Sequence, residues 1–254
     1  SSRSAGKKYS EAVGDRWKMS SPIPAHIADT VITDAADIDS MAEKCDFVFC
    51  AVNMNREEIV ALEEAYAKAE LPVISNNSAN RWTSDVPMVI PEINDAHLSV
   101  IEGQRRRLGT RRGFIAVKPN CSIQSYVPML TPLLKYGIRG KNFAAWPEMV
   151  DNVIPFISGE EEKSEREPLR IWGKVQGGVI VPATAPVVTT QCIRVPVTDG
   201  HTAAVFVNFE NKPPKEAILE DWRSFKGLPQ LLGLPSAPEQ FITYFDDNAR
   251  PQIK

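Results

Sequence analysis

Cys121 is the residue of this chain whose type and position most clearly suggest chemistry. It lies in the stretch KPNCSIQ at 118–124, directly after an apolar run and directly before apolar residues at helical spacing. At such a strand-to-helix junction, the unpaired N–H groups of the first helical turn favour a thiolate over a thiol. The position suits a nucleophile. It also fits a small buried residue that caps a core, and the context alone leaves both interpretations open.

His201 and Arg194 flank a predicted turn at 199–200. A hairpin-like corner of this kind could aim both side chains at one point. Arginine offers a planar fork for a carboxylate, and histidine moves protons near neutral pH. A histidine after a turn can equally be solvated or simply hydrogen-bonded. The other two histidines, His26 and His97, have no such neighbours, and we interpret both as structural.

Three further stretches carry charge or hydroxyl groups. SSRSAGK at 1–7 has the composition of a phosphate cradle, which is also the composition of a frayed terminus. Residues 105–112 include five arginines without interleaved aromatic residues, so we interpret this stretch as a solvated loop and not as a nucleic-acid site. The acidic run at 160–162 starts a predicted helix, and without a supporting histidine it predicts no metal site.

The first half of the chain has the pattern of an open α/β sheet. Short, continuous apolar runs typical of strands covered on both faces occur at 30–33, 46–52, 71–75 and 113–117. Residues 55–70 have apolar positions at helical spacing and acids in the first turn, which predicts a helix. Strand, helix and strand in this order form a βαβ crossover. We therefore predict a Rossmann-like nucleotide-binding domain at residues 1–120.

The second half has a different pattern. Residues 187–195 and 202–209 are longer apolar runs with partial alternation and a short connection, typical of antiparallel strands with one covered face. Residues 215–226 carry the apolar stripe of a helix. Residues 121–254 are thus predicted to form an α+β domain with a mixed or antiparallel sheet.

Composition limits the possible functions. The chain has 254 residues and a formal net charge of -3, which argues against wrapping nucleic acid or coating an anionic membrane. No apolar run approaches the roughly 18 residues of a transmembrane helix. The four cysteines lack metal-ligand spacing, which favours free thiols in a reducing, cytoplasmic compartment.

Five segments, in order along the chain, resemble aspartate-semialdehyde dehydrogenase, and more closely its fungal and archaeal branch. They are SSRSAGK at 1–7, DVPMVIPEIN at 85–94, PNCS at 119–122, DNVIPFISGEEEK at 151–163 and RVPVTDGHTA at 194–203. The resemblance implies NADPH-dependent reductive dephosphorylation of aspartyl 4-phosphate to aspartate 4-semialdehyde, a step toward lysine, threonine and methionine. It also implies NADP as the cofactor, a small-molecule substrate, no nucleic-acid or membrane partner, and a homodimer or homotetramer built by the second domain.

The resemblance assigns roles residue by residue. Cys121 would be the nucleophile that forms a thioester, and His201 its acid/base partner. Arg194 would bind the α-carboxylate of the substrate and Glu160 its α-amino group. The residues that would hold the transferred phosphate are Arg81, Asn120 and Lys163. Those that would hold the 2′-phosphate of NADP are Ser1, Arg3 and Ser4.

Three parts of the family pattern have no counterpart in this sequence. The chain begins after the family's first strand and glycine-rich turn, lacks the T-x-Q-A-x-S-G-A-G-Y stretch between Gly137 and Asp151, and stops before the family's last strand and helix. These departures predict an incomplete nucleotide-binding domain. Two alternatives therefore stay open: an inactive fragment of the family, and an enzyme like N-acetyl-glutamyl-phosphate reductase.

Overall fold

The computed structural model describes residues 4–140, 154–195, 200–247 and 249–250, with only the backbone at residues 139 and 140. The strands of this part are β1 (Val48–Cys50), β2 (Pro72–Ser75), β3 (Phe114–Val117), β4 (Ile138–Gly140), β5 (Lys174–Gln176), β6 (Val179–Val181) and β7 (Val207–Phe209). Its α-helices are α1 (Tyr9–Val13), α2 (Ala25–Ala28), α3 (Ile38–Lys44), α4 (Arg56–Lys68), α5 (Pro91–Asn94), α6 (Ile101–Leu108), α7 (Val127–Leu130), α8 (Glu160–Ile171), α9 (Lys215–Ser224) and α10 (Leu228–Leu231). Short 3-10 helices cover Gly14–Arg16, Asp95–Val100, Ser122–Ser125 and Thr131–Tyr136.

A three-stranded parallel sheet forms the centre of the first half. Val48 in β1 pairs with Val73 in β2, and Val73 pairs with Ile115 in β3, so β2 is the middle strand. Val73 and Ile115 are fully buried, as expected for strands covered on both faces. Three predicted strands are thereby confirmed, those at 46–52, 71–75 and 113–117.

Helix α4 makes the crossover from β1 to β2. A reciprocal cap fixes its start: the Asn55 side chain accepts from the Glu58 N–H at 2.9 Å, and the Glu58 side chain accepts from the Asn55 N–H at 3.3 Å. Ile59 and Tyr66 are buried on its inner face. Both the helix predicted at 55–70 and the βαβ unit are confirmed.

One apolar core joins the two halves of the chain. Val73 and Ile115 of the sheet pack in a cluster with Met88, Val127 and Ile171. Ile171 is the last residue of α8, so this helix from the second half rests on the sheet of the first. The loops at the carboxyl ends of β2 and β3 are thereby brought against α8.

The strand predicted at 30–33 is wrong. Val31 makes only an isolated antiparallel bridge with Lys8, supported by hydrogen bonds of Ile32 with Gly6 and Lys7. Val31 is 59% exposed. A segment that pairs with one short extended stretch and leaves its apolar side chain in solvent does not form a covered strand.

The antiparallel pair predicted from residues 187–195 and 202–209 is also wrong. β7 pairs instead with β4, Ile138 opposite Phe209. In the other segment, the backbone N–H groups of Thr190 and Cys192 donate to carboxylates of α8, Glu165 at 3.0 Å and Glu161 at 3.2 Å. Amides that bond to side chains are not available for a strand ladder. Residues 196–199 of the connection, which include the first residue of the turn predicted at 199–200, lie outside the described residues.

Two charged segments are helical. The helix predicted at 215–226 is confirmed as α9. The solvated loop predicted at 105–112 is partly wrong, because residues 105–108 belong to α6. There Arg107 forms ion pairs with Asp85 at 2.6 Å and with Glu64 at 2.9 Å. Within the described ranges, no helix has the length and apolar character needed to cross a membrane.

Candidate active site

Cys121 lies in the loop that follows β3 and is exposed. This contradicts the alternative of a buried cap. The helix expected after it is divided into the 3-10 helix Ser122–Ser125, the four-residue α7 and a second 3-10 helix. Pro128 and Pro132 lack the N–H groups that a continuous helix would use. The other three cysteines are half-buried, and all four thiols are free.

The neighbour of the cysteine, Asn120, has a fixed side-chain orientation. Its Oδ1 accepts from the N–H and the hydroxyl of Ser122, at 2.8 and 2.7 Å. Its Nδ2 donates to Oε2 of Glu160 at 2.9 Å. Because the amide oxygen is held by Ser122, the amide nitrogen faces α8.

Glu160 and Lys163 form an ion pair in the first turn of α8. Lys163 Nζ lies 2.6 Å from Glu160 Oε1, and Glu160 Oε2 accepts from Asn120. Burial by itself raises the pKa of Glu160, but the hydrogen bonds from Lys163 and Asn120 outweigh it and hold that pKa below its ordinary value. The carboxylate therefore stays ionised at neutral pH.

Arg81 follows β2 and is buried, and among the described residues its guanidinium makes three hydrogen bonds. Its Nη1 donates to Glu167 at 2.8 Å, its Nε to the Lys118 carbonyl at 3.0 Å, and its Nη2 to the Asn76 carbonyl at 3.3 Å. A guanidinium has five N–H donors, so two remain for a ligand. Arg81 also lines a cavity, into which those donors can be directed.

Glu167 is a residue of the site that the sequence analysis missed. It is 1% exposed, and besides Arg81 it accepts from the backbone N–H of Asn120. The available signal was its spacing: Glu160, Lys163 and Glu167 are three and four residues apart and lie along one face of α8. Asn120, Glu160, Lys163, Glu167 and Arg81 thus form one connected polar network beside Cys121.

A cavity of about 430 Å³ opens next to this network. It lies at the carboxyl ends of β1 and β2 and at the start of α8, where open α/β sheets bind ligands. Its cationic lining residues are Arg56, Arg81, Lys163 and Arg166. The Arg166 guanidinium also lies 4.7 Å from the centre of the Trp82 ring, which lines the same cavity. Two carboxylates, Glu162 and Glu167, also line the cavity, and because the four cations outnumber them the lining suits an anionic ligand.

His201 and Arg194 are exposed, and neither is hydrogen-bonded to the network through its side chain in the part of the chain that the structure describes. The backbone of Arg194 exchanges two hydrogen bonds of 3.0 Å with Ile154. Cys121 and His201 make no hydrogen bond with each other in that part of the chain. The roles expected of His201 and Arg194 therefore stay predictions.

The opening loop is described only from Ser4 onward. The Ser4 carbonyl accepts from the Lys7 N–H at 3.2 Å, and Gly6 has a φ of 82° with open space beside it. Ser1 and Arg3, which were expected to hold a 2′-phosphate together with Ser4, lie outside the described residues.

His97 has a structural role, as we interpreted it from the sequence. It is buried, with Nδ1 at 2.9 Å from Asn94 Nδ2 and Nε2 at 2.9 Å from the Gly173 carbonyl. Burial lowers the pKa of His97, so the neutral ring accepts from Asn94 and donates to Gly173. The described residues contain no group of His, Cys, Asp and Glu side chains able to hold a metal ion.

Family models and known proteins match this chain along nearly its whole length. Residues 1–101 match the family model "Semialdehyde dehydrogenase, NAD binding domain", and residues 142–254 match "Semialdehyde dehydrogenase, dimerisation domain". The aspartate-semialdehyde dehydrogenase of Aspergillus fumigatus is 36% identical over 278 aligned positions, which cover 99% of this chain and 73% of that protein. The enzyme of Archaeoglobus fulgidus is 39% identical over 269 positions, covering 99% and 74%.

Solved structures show the same relationship. The crystal structure of aspartate-semialdehyde dehydrogenase with NADP from Candida albicans has a TM-score of 0.86 and 33% identity, and the match covers 100% of this chain and 75% of that one. A second structure, aspartate-semialdehyde dehydrogenase II from Vibrio cholerae, has a TM-score of 0.63 at 21% identity and shows the shared fold. The chain belongs to the aspartate-semialdehyde dehydrogenase family.

Proposed function

We propose that this chain catalyses the NADPH-dependent reductive dephosphorylation of aspartyl 4-phosphate to aspartate 4-semialdehyde. Family membership supports the reaction. The observation that carries it within this structure is the polar network of both charge signs beside an exposed Cys121. A substrate that carries a phosphate, a carboxylate and an amino group needs such a mixed set of partners.

Cys121 would begin the reaction. Its Sγ attacks the acyl carbon of aspartyl 4-phosphate, the bond from that carbon to the phosphate oxygen breaks, and phosphate leaves with the electron pair. NADPH, when bound, supplies the hydride that reduces the thioester. His201 would donate and then remove the proton at the oxygen of the resulting thiohemiacetal, and Sγ departs as the aldehyde forms.

Different charged residues would bind the phosphate end and the amino-acid end of the substrate. Arg81 has two unused N–H donors for the phosphate, and Asn120 and Lys163 would add further donors. Glu160 holds Lys163 in this structure. When the substrate's α-amino group binds Glu160, Lys163 becomes available for the phosphate. Arg194 would bind the α-carboxylate.

The chain fits a dinucleotide at the carboxyl edge of its parallel sheet. The cation-lined cavity lies there. In the opening loop, the space beside Gly6 leaves room for an approaching group. Ser1, Arg3 and Ser4 would hold the 2′-phosphate, which would favour NADP over NAD. In this proposal residues 1–120 bind the cofactor, and residues 121–254 supply the catalytic residues Cys121 and His201.

We further propose a homodimer or homotetramer in the cytoplasm. The match of residues 142–254 to a dimerisation domain supports an oligomer. Four free thiols are consistent with a reducing compartment.

The test is a spectrophotometric assay in the reverse direction with the purified chain, aspartate 4-semialdehyde, NADP and phosphate. We expect continuous NADPH formation only when all three are present, because without phosphate the acyl group stays on Cys121 after a single hydride transfer, and we expect all NADPH formation to be lost in Cys121→Ser. N-acetyl-glutamate 5-semialdehyde serves as the comparison substrate. Preferential use of it, or no NADPH from either substrate by a folded protein, would overturn the proposal.

A further inference from the structure

Glu167 joins two segments that have different roles in the proposed function, the loop that carries the nucleophile and the residue Arg81 that binds the phosphate. Its Oε1 lies 2.8 Å from Nη1 of Arg81, the proposed phosphate ligand. Its Oε2 accepts from the backbone N–H of Asn120, the residue before the nucleophile. One rigid carboxylate therefore sets the position of the cysteine loop relative to the phosphate ligand.

The burial of this carboxylate makes the link stiff. Glu167 is 1% exposed and Arg81 is 6% exposed, so water has little access to the ion pair between them. Arg81 is further fixed by the carbonyl of Lys118, which belongs to the same loop as Asn120. The loop from Lys118 to Cys121 is thus attached to the Arg81–Glu167 pair at two points.

We propose that Glu167 is a positioning residue that sets the reactivity of Cys121 by holding the Asn120 backbone against Arg81. The inference rests on the proposed function for its purpose, but its effect on the thiol is independent of substrate and cofactor. Within the described residues Glu167 makes no hydrogen bond to Cys121 itself. It acts through the peptide before the nucleophile.

The chemistry of the two partners makes Glu167→Gln a selective probe. Both Arg81 and the Asn120 N–H are donors, and a carboxylate offers an acceptor oxygen to each. Glutamine has the same shape but only one acceptor oxygen, and its NH₂ group would face a donor. The variant must therefore lose one of the two contacts.

The experiment measures alkylation of Cys121 by iodoacetamide across a pH series, without substrate, and quantifies the Cys121 peptide by mass spectrometry. We expect Glu167→Gln to change the rate by about threefold or more, the scale on which indirect contacts modulate a site. The matched control is Glu165→Gln. Glu165 lies on the same helix and accepts one backbone N–H, that of Thr190, but it makes no hydrogen bond to the cysteine loop in the described part of the chain. Its alkylation profile should equal that of the unmodified chain.

If Glu167 had a purely structural role, Glu167→Gln would lower the melting temperature but leave the alkylation rate and pH profile of Cys121 unchanged in the folded protein. That result would overturn the proposal. If Glu167→Gln does not fold, Glu167→Asp replaces it. Aspartate keeps both acceptors on a side chain one methylene shorter, so it should pull the loop and shift the same rate. Unchanged alkylation in folded Glu167→Asp would then be the contradicting result. Because the readout needs no turnover, a chain without dehydrogenase activity would refute the proposed function and leave this inference to be decided by alkylation.

Discussion

Removing Arg81 alone should cost more stability than removing Arg81 and Glu167 together. The side chains of the pair are 8% and 1% exposed, and their atoms are 2.8 Å apart. Arg81→Met leaves a buried carboxylate without its cation, and Glu167→Leu leaves a buried guanidinium without its anion. Breaking a buried ion pair from one side costs about 3–5 kcal/mol. For a chain of this length, that corresponds to a fall in melting temperature of roughly 6–20 °C.

The double variant Arg81→Met/Glu167→Leu removes both charges. Replacing a buried pair by apolar side chains of similar volume is often close to neutral. Other hydrogen bonds are still lost: the Asn120 N–H loses its acceptor, and an unsatisfied buried donor costs about 1–3 kcal/mol. The carbonyls of Lys118 and Asn76 lose the donor Arg81, but they lose it equally in Arg81→Met, so this loss cancels from the comparison. The two single losses added together should therefore exceed the loss in the double variant by at least about 3 kcal/mol.

The assay is urea unfolding at pH 7 followed by tryptophan fluorescence, with all four proteins measured at the same concentration. The five tryptophans provide the signal. The free energies of unfolding close a double-mutant cycle. Single losses that add to the double loss within about 0.5 kcal/mol would refute the reasoning, because they would mean that the two charges do not stabilise one another in the folded state.

One carboxyl group, that of Glu70, and one imidazole, that of His97, predict how the free energy of unfolding depends on pH. The Glu70 carboxylate accepts from the backbone N–H groups of residues 111–113, which lower its pKa to about 2, the contact with Arg112 contributing most. Its stabilisation should be complete above the ordinary carboxyl pKa and disappear as pH falls to about 2, so urea unfolding should find Glu70→Gln less stable than the unmodified chain at pH 7 and equal to it near pH 2. For His97, burial lowers the pKa, so protonation favours the unfolded chain as pH falls below about 6.5. The loss of stability between pH 7 and pH 5 should be smaller in His97→Gln, and an equal loss in both proteins would contradict the assignment of a neutral, doubly bonded ring.

Local patterns were sufficient where the chain contacts its near neighbours in sequence. The cap formed by Asn55 and Glu58 spans three residues, and the continuous apolar runs of β2 and β3 mark strands covered on both faces. Segment 187–195 has an equally strong apolar pattern but does not form a strand. Its backbone amides bond to Glu161 and Glu165, 31 and 25 residues away. A local sequence pattern cannot show that distant side chains will bond to the backbone N–H groups that a strand would need.

Of the candidate site, too, one part could be predicted from the sequence and another part could not. The motifs PNCS and GEEEK pointed to Asn120, Glu160 and Lys163, and the structure brings these three together. Glu167 was missed because its partners are 86 and 47 residues away, and an acid within a charged helix is ordinarily solvated. The helical spacing could have predicted that Glu167 lies on the same face of α8 as Glu160 and Lys163. Only the folded structure shows that its side chain is buried.

The most direct test of the central claim is to trap the thioester on Cys121. The purified chain is incubated with aspartate 4-semialdehyde and NADP without phosphate, quenched in acid, and digested for mass spectrometry. Without phosphate the acyl group has no acceptor other than water, so we expect the Cys121 peptide to gain the mass of one aspartyl group and Cys121→Ser to gain none. An unmodified Cys121 peptide, or an aspartyl group on Cys45, Cys50 or Cys192, would contradict the account.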